Sequence, residues 1–137
     1  MKKPPAIKTI VVPIYGTTIR AFATYQAAER YYKCHMDSES LAAFVQVMNH
    51  TGSGITEIAI CFSGPDCCTI NTITHELVHA AWRVLDHVGV TVDSGNHEAF
   101  AYLVGYLAEN ITPWAMAHWQ HWEDSRNTGT AETTAKA

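Results

Sequence analysis

The sequence predicts a single α+β domain. A small antiparallel sheet packs against a long helix, a second helix opening on a glutamate, and a C-terminal helix. Three observations predict this. Short β-branched runs dominate the first half of the chain, an apolar period of about 3.6 residues takes over after residue 68, and Gly/Pro/Ser clusters separate these segments. With 137 residues, 47% of them hydrophobic, the chain can bury one core but is short for two. Residues 1–124 are expected to form that domain, and the small polar residues 125–137 to be a disordered tail.

Taken in order, residues 7–15 (IKTIVVPIY) read as a strand, with Pro13 pushing it towards a sheet edge. Gly16-Thr17 is a turn signal, and residues 18–22 return as a second short strand. Thr24 can cap a short helix running through Ala27, Ala28, Tyr31 and Tyr32, and Asp37-Ser38-Glu39-Ser40 is a polar connection. Residues 41–48 and 55–62 are apolar runs on either side of His50-Thr51-Gly52-Ser53-Gly54, a hairpin pattern. Ser63-Gly64-Pro65-Asp66 breaks the second run. From residue 68 to 88, Ile70, Ile73, Leu77, Ala80, Ala81, Val84 and Val88 share one helical face, and Gly89 is a stop signal. A second helix, residues 96–109, carries Phe100, Leu103, Val104 and Leu107. Thr112-Pro113 reads as the cap and first turn of a third helix, residues 114–124.

Composition excludes several classes of partner. Nine Lys plus Arg against 13 Asp plus Glu give a net charge of −4, where a nucleic-acid binder would show a basic excess. No apolar run reaches the ~18 residues of a membrane span, and Met1-Lys2-Lys3-Pro4-Pro5 lacks the apolar run of a secretory signal, so a cytoplasmic protein is expected. Cys34, Cys61, Cys67 and Cys68 form no CxxC pair and read as reduced, mostly buried side chains rather than a thiolate zinc knuckle.

The long predicted helix contains Thr74-His75-Glu76-Leu77-Val78-His79-Ala80, an HExxH motif. Residues four apart stand about 40° apart around a helix and about 6 Å apart along it, so His75 and His79 can reach one tetrahedral ion. Glu76, about 100° round from His75, is set off from the pair yet close enough to take a proton from a water on that ion. A shuffled chain of this composition would contain the motif only about 0.03 times. A catalytic zinc needs a third protein ligand. A histidine six residues beyond His79, with a glycine between, would supply one, but those positions hold Leu85 and Trp82. The second helix offers His97 or Glu98, adjacent near its start.

On these residues the chain resembles the gluzincins, the thermolysin-like zinc metallopeptidases, in which HExxH is joined by a glutamate on the next helix. His75, Glu76, His79 and Glu98 match that pattern, Glu98 nineteen residues beyond His79. The stretches THELVHAAWRVLDHVG and HEAFAYLVGYL also resemble a small metallopeptidase of bacteriophage genomes, and the likeness covers residues 41–109. The resemblance implies a minimal zincin-like domain that hydrolyses peptide bonds of a polypeptide substrate, in the host cytoplasm if phage-encoded. It implies Zn²⁺ held by His75, His79 and Glu98 rather than His97, with Glu76 as general base. Residues 55–62 would form the sheet edge along which an extended substrate lies. The alternative is an inactive interaction protein that keeps the fold.

Two positions depart from the family. Tyr102 stands where relatives often carry an aspartate that supports a ligand histidine, leaving Asp86 or Asp93 as substitutes. Larger relatives bring a Tyr or His from a separate lobe to the oxyanion; here Tyr102, Tyr106, His118 and His121 are the candidates. His35, His50 and His87 have no partner spacing and read as surface residues. Trp114, Trp119 and Trp122 read as packing residues.

Overall fold

The computed structural model of the chain describes residues 2–36, 41–49 and 53–136, with side chains to residue 129. The elements are β1 (Ile7–Val11), β2 (Thr18–Phe22), α1 (Tyr25–Tyr32), β3 (Ala43–Asn49), β4 (Thr56–Phe62), a single 3₁₀ turn at Pro65–Cys67, α2 (Ile70–His87) and α3 (Glu98–Lys136). The architecture is α+β, as expected.

The four strands form one sheet in the order β1-β2-β4-β3. The β3–β4 hairpin pairs antiparallel from Ala43↔Phe62 to Asn49↔Thr56, and β1 and β2 pair antiparallel from Ile7↔Phe22 to Val11↔Thr18. The sheet is nevertheless mixed, not antiparallel, because β2 and β4 run parallel, from Thr18↔Glu57 to Phe22↔Cys61. Parallel neighbours need a crossover, here supplied by the chain through α1 and β3, and such non-local pairing leaves no local pattern in the sequence. It also makes β4 an inner strand, buried from Glu57 to Phe62. Residues 55–62 therefore cannot serve as the sheet edge, since both flanks of β4 are already paired; β1 and β3 are the edges.

The period-2 alternation of strands places a separate apolar layer on each face. Ile19 and Ala21 of β2 and Ile58, Ile60 and Phe62 of β4 pack with Ile73, Leu77, Ala80, Ala81, Val84 and Leu85 of α2 and Leu103, Leu107 and Ile111 of α3. On the other face Phe22, Ala59 and Cys61 meet Ala27 and Ala28 of α1. That face also holds a carboxylate. Glu57, 2% exposed, accepts both Nε and Nη2 of Arg20 at 3.1 and 3.2 Å, and Tyr32 donates its hydroxyl to it at 2.7 Å. Arg20 also donates to Thr9 Oγ1 and lies 4.5 Å over the Tyr31 ring. Burial and the bond to Glu57 together hold the Tyr32 phenol well above its usual range.

Local signals explain the helix ends. Thr24 Oγ1 accepts from Ala27 N at 3.1 Å, as its capping position predicts. Thr69 caps α2 by accepting from Thr72 N. At the other end Gly89 has φ +79°, Val90 N–H reaches Leu85 O and Gly89 N–H reaches Asp86 O, a Schellman ending that requires a residue tolerant of positive φ. Ile70 and Val88, expected on the buried stripe, are 59% and 37% exposed because they lie at the two ends of α2.

The second and third predicted helices are one. α3 runs from Glu98 to Lys136 with Pro113 inside it, so Thr112-Pro113 is neither cap nor first turn, and residues 125–136, read as a tail from composition, continue the helix. Pro113 deprives the Glu109 carbonyl of its helical donor, a cost of about 3 kcal/mol. Burial of Ile111, Trp114 and Ala115 on the sheet side offsets it. No cysteine forms a disulfide; Cys61 and Cys68 are buried, Cys67 is half-buried and Cys34 is exposed. Among the described residues no helix is long and apolar enough to cross a membrane.

The N-terminal segment is fastened to α3 through one carbonyl. Pro5 O accepts from Trp114 Nε1 at 2.7 Å and lies 2.8 Å from His118 Nε2. Burial is the main cause holding the His118 pKa below its ordinary value, and Lys3 and His121 act in the same direction. The folded state then binds fewer protons than the unfolded chain as pH falls through the ordinary histidine value of about 6.5. This contribution to stability is full above that pH, declines towards the depressed folded pKa, and changes no further below it. Urea midpoints measured at pH 7.5 and 5.5 should fall with acidity, and fall less in His118→Gln, which keeps a donor but cannot titrate. An equal fall in both proteins would contradict this assignment.

Candidate metal and catalytic site

α2 presents its two sides differently. Ile73, Leu77, Ala80, Ala81, Val84 and Leu85 face the sheet, whereas His75 and His79 stand exposed on the opposite side. Their Nε2 atoms are 3.2 Å apart, with ring centroids 4.8 Å apart and planes at 67°. Two imidazole nitrogens bound at about 2.0–2.1 Å to a tetrahedral ion would be about 3.3–3.4 Å apart. The observed 3.2 Å separation is close to that spacing, and at this distance one Nε2–H can also donate to the other nitrogen.

Glu76 lies between the two sides. Counting 100° per residue, it is about 60° from His79 and 100° from His75, which turns it towards the buried stripe while leaving it beside both rings. It is 5% exposed. Burial raises its pKa, and the neighbouring His75 and His79 oppose that rise. A carboxylate raised in this way is a stronger base than one in water. The imidazoles and the carboxylate are thus brought together by one helix.

The second helix does not complete that group. Glu98 is the exposed first residue of α3, a favourable place for an acid at the positive end of the helix dipole. Among the described residues no group of three or more His, Cys, Asp or Glu side chains is arranged to hold a metal. His75 and His79 therefore stand together on α2, while Glu98 stands apart from them at the start of α3. The two helices meet at an edge-to-face contact between Trp82 and Phe100, centroids 5.7 Å apart. The connection ahead of Glu98 is pinned by Asn96 Nδ2 donating to Thr91 O and by Gly95 N–H donating to Asp93 Oδ1.

The supporting candidates separate by position. Asp93 is engaged in that turn, and Asp86 lines a recess with Trp82, Gly89, Val90, Thr91 and Val92. Tyr102, 76% exposed, and Tyr106 share an open face of α3 with Glu98, Ala101, Gly105 and Glu109. His118 is buried at 2% exposure against Pro5, which makes it a packing residue and not an oxyanion donor; His121 lies one turn further along α3. His97 is exposed, as are His35 and His87, whereas His50 lies outside the described residues. Trp114 is buried and Trp119 packs on the core, in keeping with their spacing, while Trp122 stacks on Arg126.

Sequence reasoning missed two features. The Glu57–Arg20–Tyr32 cluster was signalled by a lone acid in the apolar run TEIAICF. Arg83 continues the four-residue spacing of His75 and His79 on the exposed side of α2. Comparison of the chain with protein-family models, with curated proteins and with solved structures gives no match.

Proposed function

We propose that the protein is a zinc-dependent hydrolase of peptide bonds, a minimal zincin-like enzyme with His75, His79 and Glu98 as ligands and Glu76 as the general base. The observation that carries this reading is the 3.2 Å separation of two exposed imidazole nitrogens beside a buried carboxylate on the same helix. Zinc bound there would polarise a carbonyl and make water a better nucleophile. The remaining steps belong to the chain. The exposed side of α2 admits a polypeptide, Glu76 takes a proton from the attacking water, and the same carboxyl group delivers it to the departing amine. The buried setting of Glu76 keeps its carboxylate from being levelled by bulk solvent. Glu98 enters as third ligand on the resemblance and on its exposed position at the head of α3.

The test is cleavage of an unfolded, fluorescently labelled polypeptide with zinc supplied. Cleavage should disappear with a chelator and return on adding zinc back. A zinc-loaded protein that cuts no member of a broad peptide library would instead be a zincin-like interaction protein. Glu98→Ala should weaken zinc binding by more than the ~10–100-fold typical of losing a mere supporting partner, while His97→Ala should not weaken it. The opposite ranking in a zinc titration would transfer the third-ligand role to His97.

A further inference from the structure

His75, His79 and Arg83 follow one another at four-residue intervals on the exposed side of α2. They span about 80° of arc and about 12 Å of axis. Val78, His79, Trp82 and Arg83 line a recess of about 390 Å³ beside the candidate ligand His79. Its apolar wall is formed by Val78 and Trp82, 37% and 48% exposed, and the indole is braced edge-on by Phe100 of α3. Its charged end is Arg83. Among the described residues no ion pair joins Arg83 to an acid, not even to Asp86 three residues on.

An uncompensated guanidinium next to exposed apolar side chains complements a group that is anionic at one end and apolar at the other. The last residue of a peptide is such a group, with an α-carboxylate and a side chain on one carbon. Guanidinium groups match carboxylates with paired donors. The position also suits the reaction. The final peptide link lies within about one residue, 3.8 Å, of the terminal carboxylate. Arg83 stands about 6 Å along the axis from His79, and the two line the same recess.

We propose that Arg83 binds the free α-carboxylate of the substrate while Val78 and Trp82 receive its last side chain, so that the protein releases single apolar residues from peptide C-termini. This rests on the hydrolase reading above. The C–N bond of the last peptide link breaks, water supplies hydroxyl to the carbonyl carbon, and the remaining water proton passes through Glu76 to the departing amine. The products are a shortened peptide and one free amino acid.

The first experiment is binding to the full, zinc-free chain. N-acetyl-phenylalanine and its amide are titrated while the indole signal of Trp82 is followed by NMR, identified by its loss in Trp82→Phe. The acid should bind tighter than the amide by about tenfold or more. Arg83→Gln should abolish that preference, and Arg83→Lys should restore part of it. Equal binding of acid and amide, or an unchanged preference in Arg83→Gln, would overturn the pocket. The second experiment uses the zinc-loaded chain and peptides ending in phenylalanine, with free or amidated C-termini. Release of phenylalanine from the free form alone is expected. Carboxylate preference without any release would keep the pocket and remove the hydrolase reading, whereas cleavage inside amidated peptides would keep the hydrolase and overturn the pocket.

Discussion

Glu76→Gln is expected to keep its zinc and lose hydrolysis by about 10²–10⁴-fold, the usual contribution of a positioned general base. The substitution changes one oxygen to an amide nitrogen on a side chain that is 5% exposed, so the shape of α2 and the histidine pair should be preserved. Stability gives a second, independent readout. Burial disfavours the charged form of Glu76, and a neutral side chain of the same shape relieves that cost. The variant should therefore melt at or above the temperature of the parent, the pattern of a residue kept for function at the expense of stability. A variant as active as the parent would remove Glu76 from the mechanism. A loss of activity with loss of zinc and a lower melting temperature would make it a structural residue instead.

The second large effect lies on the opposite face of the sheet. Arg20→Met keeps most of the apolar stem but takes the guanidinium away from Glu57, whose carboxylate stays buried between β2, β4 and α1. Removing one partner of a buried pair costs about 3–5 kcal/mol, because the remaining charge is held out of water. For a chain of this size that corresponds to a fall of about 10 °C or more in melting temperature. The double variant Arg20→Met/Glu57→Leu should recover much of the loss, since replacing both partners removes the uncompensated charge. A double variant no better than the single one would locate the cost in packing against Tyr31 and in the bond to Thr9, and not in the charge pair.

Which parts of the fold were legible follows from the range of each interaction. The cap at Thr24, the Gly89 ending of α2 and the β3–β4 hairpin all depend on neighbours within a few residues, and each carries its own local pattern. The histidine pair was legible for the same reason: helical spacing alone brings His75 and His79 to one side, and the structure holds their Nε2 atoms at 3.2 Å. The β2–β4 pairing joins segments 39 residues apart at Thr18↔Glu57, and nothing local distinguishes it from an antiparallel arrangement. Pro113 was read as a helix start because the local rule favours it there; packing of Ile111, Trp114 and Ala115 overrides that rule. Where Glu98 lies relative to the histidine pair depends on how α3 is set against α2, and a spacing of nineteen residues does not determine that geometry.

The most direct test of the central claim is the zinc content of the purified 137-residue chain, measured beside that of His75→Ala/His79→Ala after both have been supplied with zinc and freed of excess. One zinc per chain in the parent and none in the double variant is the expected result. No zinc in the parent, or one zinc retained when both imidazoles are gone, would contradict the assignment of His75 and His79 as the metal site.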